Sequence, residues 1–200
     1  MTEAEWLTCT DPKAMLEFVK GKVSDRKLRL FAVASCRELW RSAVREGETA
    51  LEIAELYAEG CVDEQQREVV AADARLAHSG ACYFLDVFLG VVLAAEKDAA
   101  EAASRAVTFD MSGYRLREWQ RFVPLVHHIL GNPFRRYPTP DHWPATVVGL
   151  ASAVYEGQDC GFALHDALIE SGHAELAEHF HQEQDHPRGC WALDAILGKA

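Results

Sequence analysis

An all-α fold, a multi-helix array or bundle of about nine to eleven helices, follows from three features of these 200 residues. Apolar side chains recur at three- and four-residue gaps in segment after segment, which puts them on one face of a helix. Alanine, leucine, glutamate and arginine are abundant, and these lose least on entering a helix. No stretch alternates apolar and polar residues for long enough to make a strand. Helical pairs separated by glycine resemble a solenoid in outline, although no fixed-period repeat accompanies them.

The elements can be placed in order. Thr2-Glu3-Ala4-Glu5 is a capping box for a short helix carrying Trp6 and Leu7. Asp11-Pro12 starts a second helix, with Met15, Leu16 and Val19 inward and Gly21 as its stop. Ser24 caps a longer helix running to about Val44. There Leu28, Phe31, Ala32, Ser35, Cys36, Leu39 and Ala43 share one face, while Arg26, Arg37, Arg41 and Arg45 gather on the other. A helix from about Glu48 to Glu59 turns Ile53, Leu56 and Tyr57 inward and ends at Gly60. Asp63 caps a long segment reaching roughly Val107, bent or broken at Ser79-Gly80.

After a connector at 108–113, Leu116, Trp119, Val123, Val126 and Leu130 mark another helix, in which Pro124 is expected to cause a kink. Gly131-Asn132-Pro133 ends it. Pro133, Pro138, Pro140 and Pro144 make 131–144 the one long loop. Helices are expected at about 145–156, 161–171, 173–181 and 189–198, with Gly157 and Gly172 separating the first three. The organisation expected is an N-terminal helical module over 1–131, a proline-rich connector over 132–144, and a C-terminal helical module over 145–200 packed on the first as one compact unit.

The net charge of −11 is uneven. Residues 1–45 carry nine Lys/Arg against six Asp/Glu, residues 46–111 four against fourteen, and residues 112–200 seven against eleven. The acidic middle third repels phosphate backbones and disfavours nucleic acid as a partner. The acidic opening, Met1-Thr2-Glu3-Ala4-Glu5, lacks the basic character of a signal peptide. The most apolar run, Ala81 to Ala95, is too short and too punctuated to span a bilayer. Cys9, Cys36, Cys61, Cys82, Cys160 and Cys190 are widely separated, and most lie within apolar helical patterns, as reduced cysteines do. The expected compartment is the cytoplasm.

Four blocks, distributed over nearly the whole chain, carry a resemblance. Met1 to Leu7 with Thr10-Asp11-Pro12 and Ser24 to Ala32, then Ala54 to Gly60, then Gly131-Asn132-Pro133-Phe134-Arg135, and finally His186 to Asp194 with Leu197-Gly198-Lys199 are together similar to a family of uncharacterised bacterial helical proteins. The resemblance implies an intracellular helical fold and no assigned activity, and it carries over no catalytic residue.

Three groups of side chains have chemical potential. In His186-Pro187-Arg188-Gly189-Cys190-Trp191, a helix beginning near Gly189 would put Cys190 in its first turn, where a thiolate is stabilised. His186 and Arg188 lie close by, and Asp194 is one turn on. The plainer reading buries this helix through Trp191, Ile196 and Leu197 and leaves the cysteine inert. Cys160, His165, His173, His179, His181, His186 and Cys190 crowd together with zinc-type donors but without a C-x-x-C pair. His179 and His181, two apart, would diverge on a helix. No metal site is called on this basis. Were a metal held, His181, His186 and Cys190 are the ligands expected, and the alternative is polar surface histidines.

Third, Arg115, Arg117, Arg121, Arg135 and Arg136 form an anion or acidic-partner patch, unless they pair with the acidic middle segment. His127-His128 has no acid–base partner at a telling spacing. Trp6, Trp40, Trp119, Trp143 and Trp191 read as core anchors. Phosphate-cradling, dinucleotide, nucleophile-elbow and H-E-x-x-H motifs are absent, and no cofactor is implied. The expectation is a non-enzymatic protein-interaction module with another protein as partner. The alternative is a small enzyme or a metal/redox sensor built on the C-terminal Cys–His cluster. Oligomeric state is not written in these features.

Overall fold

The computed structural model describes residues 1–40, 48–69, 72, 98–108, 119–182 and 185–199. Every regular element among them is helical and none is a strand, so the chain is an all-α multi-helix array. No helix among the described residues is long and apolar enough to cross a membrane. The chain divides into two compact units, Met1–His127 and His128–Ala200.

In the first unit, α1 (Glu3–Thr8) opens on the expected capping box: Glu5 N–H donates to Thr2 Oγ1 and Thr2 N–H donates to the Glu5 carboxylate. In α2 (Pro12–Val19), the Asp11 carboxylate accepts from the backbone of Lys13 and Ala14, and Met15, Leu16 and Val19 are buried. α3 (Asp25–Trp40) buries the expected Leu28, Phe31, Ala32, Ser35 and Cys36. It also buries Arg29, Leu30, Val33 and Ala34, so it is wrapped on more than one side. The cause is α5 (Ala99–Thr108), whose Ala99, Ala102, Ala103 and Ala106 form a fully buried stripe at helical spacing. Its small side chains let α3 and α2 pack closely against it.

α4 (Glu48–Ala58) packs on α3 with a different face from the one its pattern suggests. Leu51, Ala54 and Glu55 are buried, while Ile53, Leu56 and Tyr57 are only half-buried. The inward carboxylate is satisfied there, because Arg37 forks onto both oxygens of Glu55 at 2.6 and 2.9 Å. Arg26 likewise donates to Glu59 at 2.8 Å. The long segment predicted from Asp63 does start there, with Asp63 and Gln66 capping each other over helical residues 64–69. A fresh helix start appears at Asp98, whose carboxylate accepts from Ala100 and Glu101. Ser79-Gly80, Arg41, Arg45, Cys82, Arg115 and Arg117 lie outside the described residues.

The unit boundary falls within α6 (Phe122–Leu130), which is preceded by a 3-10 turn, Trp119–Arg121. Pro124 therefore sits in the first turn of α6, directly after the 3-10 turn, a position that proline tolerates. The second unit adds α7 (Ala145–Tyr155), α8 (Gly161–Glu170), α9 (Ala174–Gln182) and α10 (Trp191–Leu197), close to the four helices read from sequence. α8 packs on α7 and α9, and α10 packs on α7. Val147, Ala151, Leu164, Leu168, Leu176, Ala177 and Leu193 are the centre of its core. The loop 131–144 belongs to this unit and begins at Gly131, whose φ is +68°. A Cβ there would meet Trp191 at 3.1 Å, so both backbone and packing demand glycine.

Candidate metal centre

His128, His179, His186 and Cys190 converge within the second unit. α6 brings His128 to its buried face beside Val126 and Ile129, and α9 brings His179 beside Phe180. The turn Pro187–Cys190, closed by Cys190 N–H donating to Pro187 O, returns the chain so that His186 and Cys190 face each other. Cys190 is the N-cap residue of α10, not a member of its first turn, and its side chain makes no cap hydrogen bond. Its sulfur faces the histidines instead.

One donor atom from each of the four residues lies within 4.8 Å of every other. His179 Nε2 is 3.1 Å and His186 Nδ1 3.8 Å from Cys190 Sγ. A tetrahedral zinc-type ion, bonded to nitrogen at about 2.1 Å and sulfur at about 2.3 Å, spaces its donors about 3.4–3.6 Å apart. The same geometry puts ring centres about 5.2 Å apart, because each lies about 3.2 Å from the ion. The ring centres of His128, His179 and His186 are separated by 4.8, 5.3 and 5.1 Å. Those ring separations are close to the ones such an ion requires, while the donor atoms, as much as 4.8 Å apart, would draw together on ligation.

The environment favours neutral imidazole. Burial, and then the charges that His128 and His186 would carry, push the pKa of His179 down to about 3. Its lone pair is therefore available at neutral pH, as metal ligation requires. Trp191 meets the His179 ring edge-on at 5.3 Å and Phe180 covers His186 at 4.8 Å, closing the site with apolar surface.

The other sequence-selected residues go elsewhere. Arg188 pairs with Glu156 at 3.3 Å and lies over Tyr155, and Asp194 is buried in α10. Arg121 lies over the Phe122 ring, and Arg135 and Arg136 are exposed. His127 turns away from His128 to meet Trp6 edge-on at 5.5 Å, and burial lowers its pKa. His173 hydrogen-bonds Tyr137, and His165 and His181 contact each other. Of the ligands expected were a metal held, His186 and Cys190 stand in the cluster, while His181 does not and His179 takes its place. His128 is the member that sequence reasoning missed. Its neighbours in sequence are His127 and Ile129, and neither marks it as a ligand.

No protein-family profile, no curated protein and no solved structure matches this chain.

Proposed function

We propose that this protein is a non-enzymatic helical module whose C-terminal unit binds one transition-metal ion of the zinc class through His128, His179, His186 and Cys190. One observation carries the reading: four soft or borderline donors lie within 4.8 Å of one another in a largely apolar site. Three imidazoles and a thiol suit zinc-class ions, whereas magnesium and calcium call for oxygen donors. Four protein ligands complete a tetrahedron and leave no open position for a substrate, which is the arrangement of a structural centre. An ion there would tie α6, α9 and the start of α10 together.

The competing reading is a thiol–imidazole enzyme. The 3.1 Å approach of His179 to Cys190 suits it, but Cys190 is 0% exposed, so no substrate reaches the sulfur. A nucleophile also needs one base, and a second and third imidazole add only repulsion if protonated.

The test is cobalt titration of untagged, metal-stripped protein. The expected result is one tightly held equivalent with a thiolate-to-cobalt charge-transfer band. Cys190→Ser removes the band, and His128→Gln weakens binding by more than about a hundredfold. Wild-type protein that takes up no stoichiometric metal, or a Cys190→Ser protein with an unchanged spectrum, would end the proposal.

A further inference from the structure

α8 and α9 bring a second pair of histidines together, separate from the buried centre. The rings of His165 and His181 are 5.5 Å apart, with His181 exposed and His165 18% exposed at its side chain. His165 Nδ1 lies 2.9 Å from the carboxylate of Asp166. An ionised carboxylate only accepts hydrogen bonds, so Nδ1 carries the proton and Nε2 the lone pair. This is the carboxylate–histidine arrangement that fixes the tautomer of metal-ligating imidazoles. Phe162 stacks on the same ring at 5.8 Å and an interplanar angle of 26°, which limits its rotation.

The spacing again fits a shared ion. With ring centres about 3.2 Å from a metal, a 5.5 Å separation corresponds to an angle near the tetrahedral one, about 120°. His179 and His181 are about 200° apart around α9, so one helix presents one histidine to the buried cluster and another to this surface pair. Two protein donors leave the remaining positions to water, which makes such a site exchange quickly. Imidazole donors select zinc, nickel and copper over hard cations.

We propose that His165 and His181 form a second, exposed metal subsite that takes a labile divalent ion of the zinc class through two imidazole nitrogens, with Asp166 as the positioning residue. The site stands independently of the buried centre. The probe is Zn²⁺ alone, in equilibrium dialysis of the full metal-stripped chain, with circular dichroism confirming that each variant is folded. The expected result is two equivalents at saturating free zinc, of which one is lost on gel filtration. His165→Gln and His181→Gln each abolish the labile equivalent and keep the tight one. Asp166→Asn weakens the labile equivalent about tenfold. Cys190→Ser removes the tight equivalent and keeps the labile one, so failure of either site is read separately. A wild-type chain that loses no equivalent on gel filtration, or a labile equivalent that survives both histidine substitutions, overturns the subsite. An unchanged affinity in Asp166→Asn overturns the role given to the carboxylate.

Discussion

At the scale of single residues, the proposed metal centre depends on positions that are not ligands. Trp191 follows Cys190 directly and abuts both the His179 ring and the Gly131 backbone. Gly131→Ala would meet two penalties, a left-handed backbone at about 1–2 kcal/mol and overpacking at about 1–3 kcal/mol. The expected loss is about 3 kcal/mol in urea denaturation of the second unit. Gly172, with φ +85° and open space around its Cβ position, is the control. Gly172→Ala should cost only about 1 kcal/mol, and equal losses at both positions would show that Trp191 packing contributes nothing. Residue-level chemistry was only partly legible in the sequence. His186 and Cys190 share one short motif, so their proximity could be read directly. His179 and His181 flank the apolar stripe Leu176, Ala177 and Phe180 from opposite sides. Helical period alone gave no way to choose between them. The choice is made by His128, contributed by a helix far upstream, and tertiary placement of that kind has no local signature.

At the scale of elements, the basic N-terminal third and the acidic middle third meet where α3 packs on α4. Arg26 and Glu59 are 15% and 6% exposed at their side chains, so this pair is largely withdrawn from water. Glu59→Ala leaves a guanidinium behind in that setting and is expected to cost about 3 kcal/mol. Arg105 and Glu101, about half exposed on α5, form an i,i+4 pair. Glu101→Ala should cost less than about 0.5 kcal/mol. Chemical denaturation of the two variants compares them directly, and equal costs would contradict the role given to burial. Helix starts were legible because a cap acts within three residues, as at Thr2, Asp11 and Asp63. Helix facing was less so. On α8, Leu164 and Leu168 are buried as their spacing suggests, but Phe162 and Ile169 are 69% and 46% exposed. The apolar stripe there is wider than the surface available to cover it. On α4 the face that turns inward includes Glu55, held by the half-exposed Arg37, and on α5 a run of alanines, unremarkable as a pattern, became a buried stripe.

At the scale of the whole molecule, the division at His127 and His128 places all four proposed ligands in one unit. Metal that binds only the folded form stabilises by mass action, about 2.7 kcal/mol at a free concentration one hundred times Kd. The second unit spans residues 128–200, a size at which each kcal/mol moves the melting temperature by about 4–8 °C. Zinc should therefore raise the melting transition of this unit by about 10–20 °C. Hydrogen exchange read by mass spectrometry localises the effect. Backbone protection should rise on zinc addition in α6, α9 and α10, which carry or adjoin the ligands. It should stay constant in α2 and α3, whose cores of Met15, Val19, Leu30 and Phe31 contain no ligand. A chelator should reverse the gain, and Cys190→Ser should remove it while the α2–α3 signal holds. Protection that does not rise on zinc addition would mean that the four side chains meet without holding an ion. The helices of the second unit would then owe their stability to the apolar core alone.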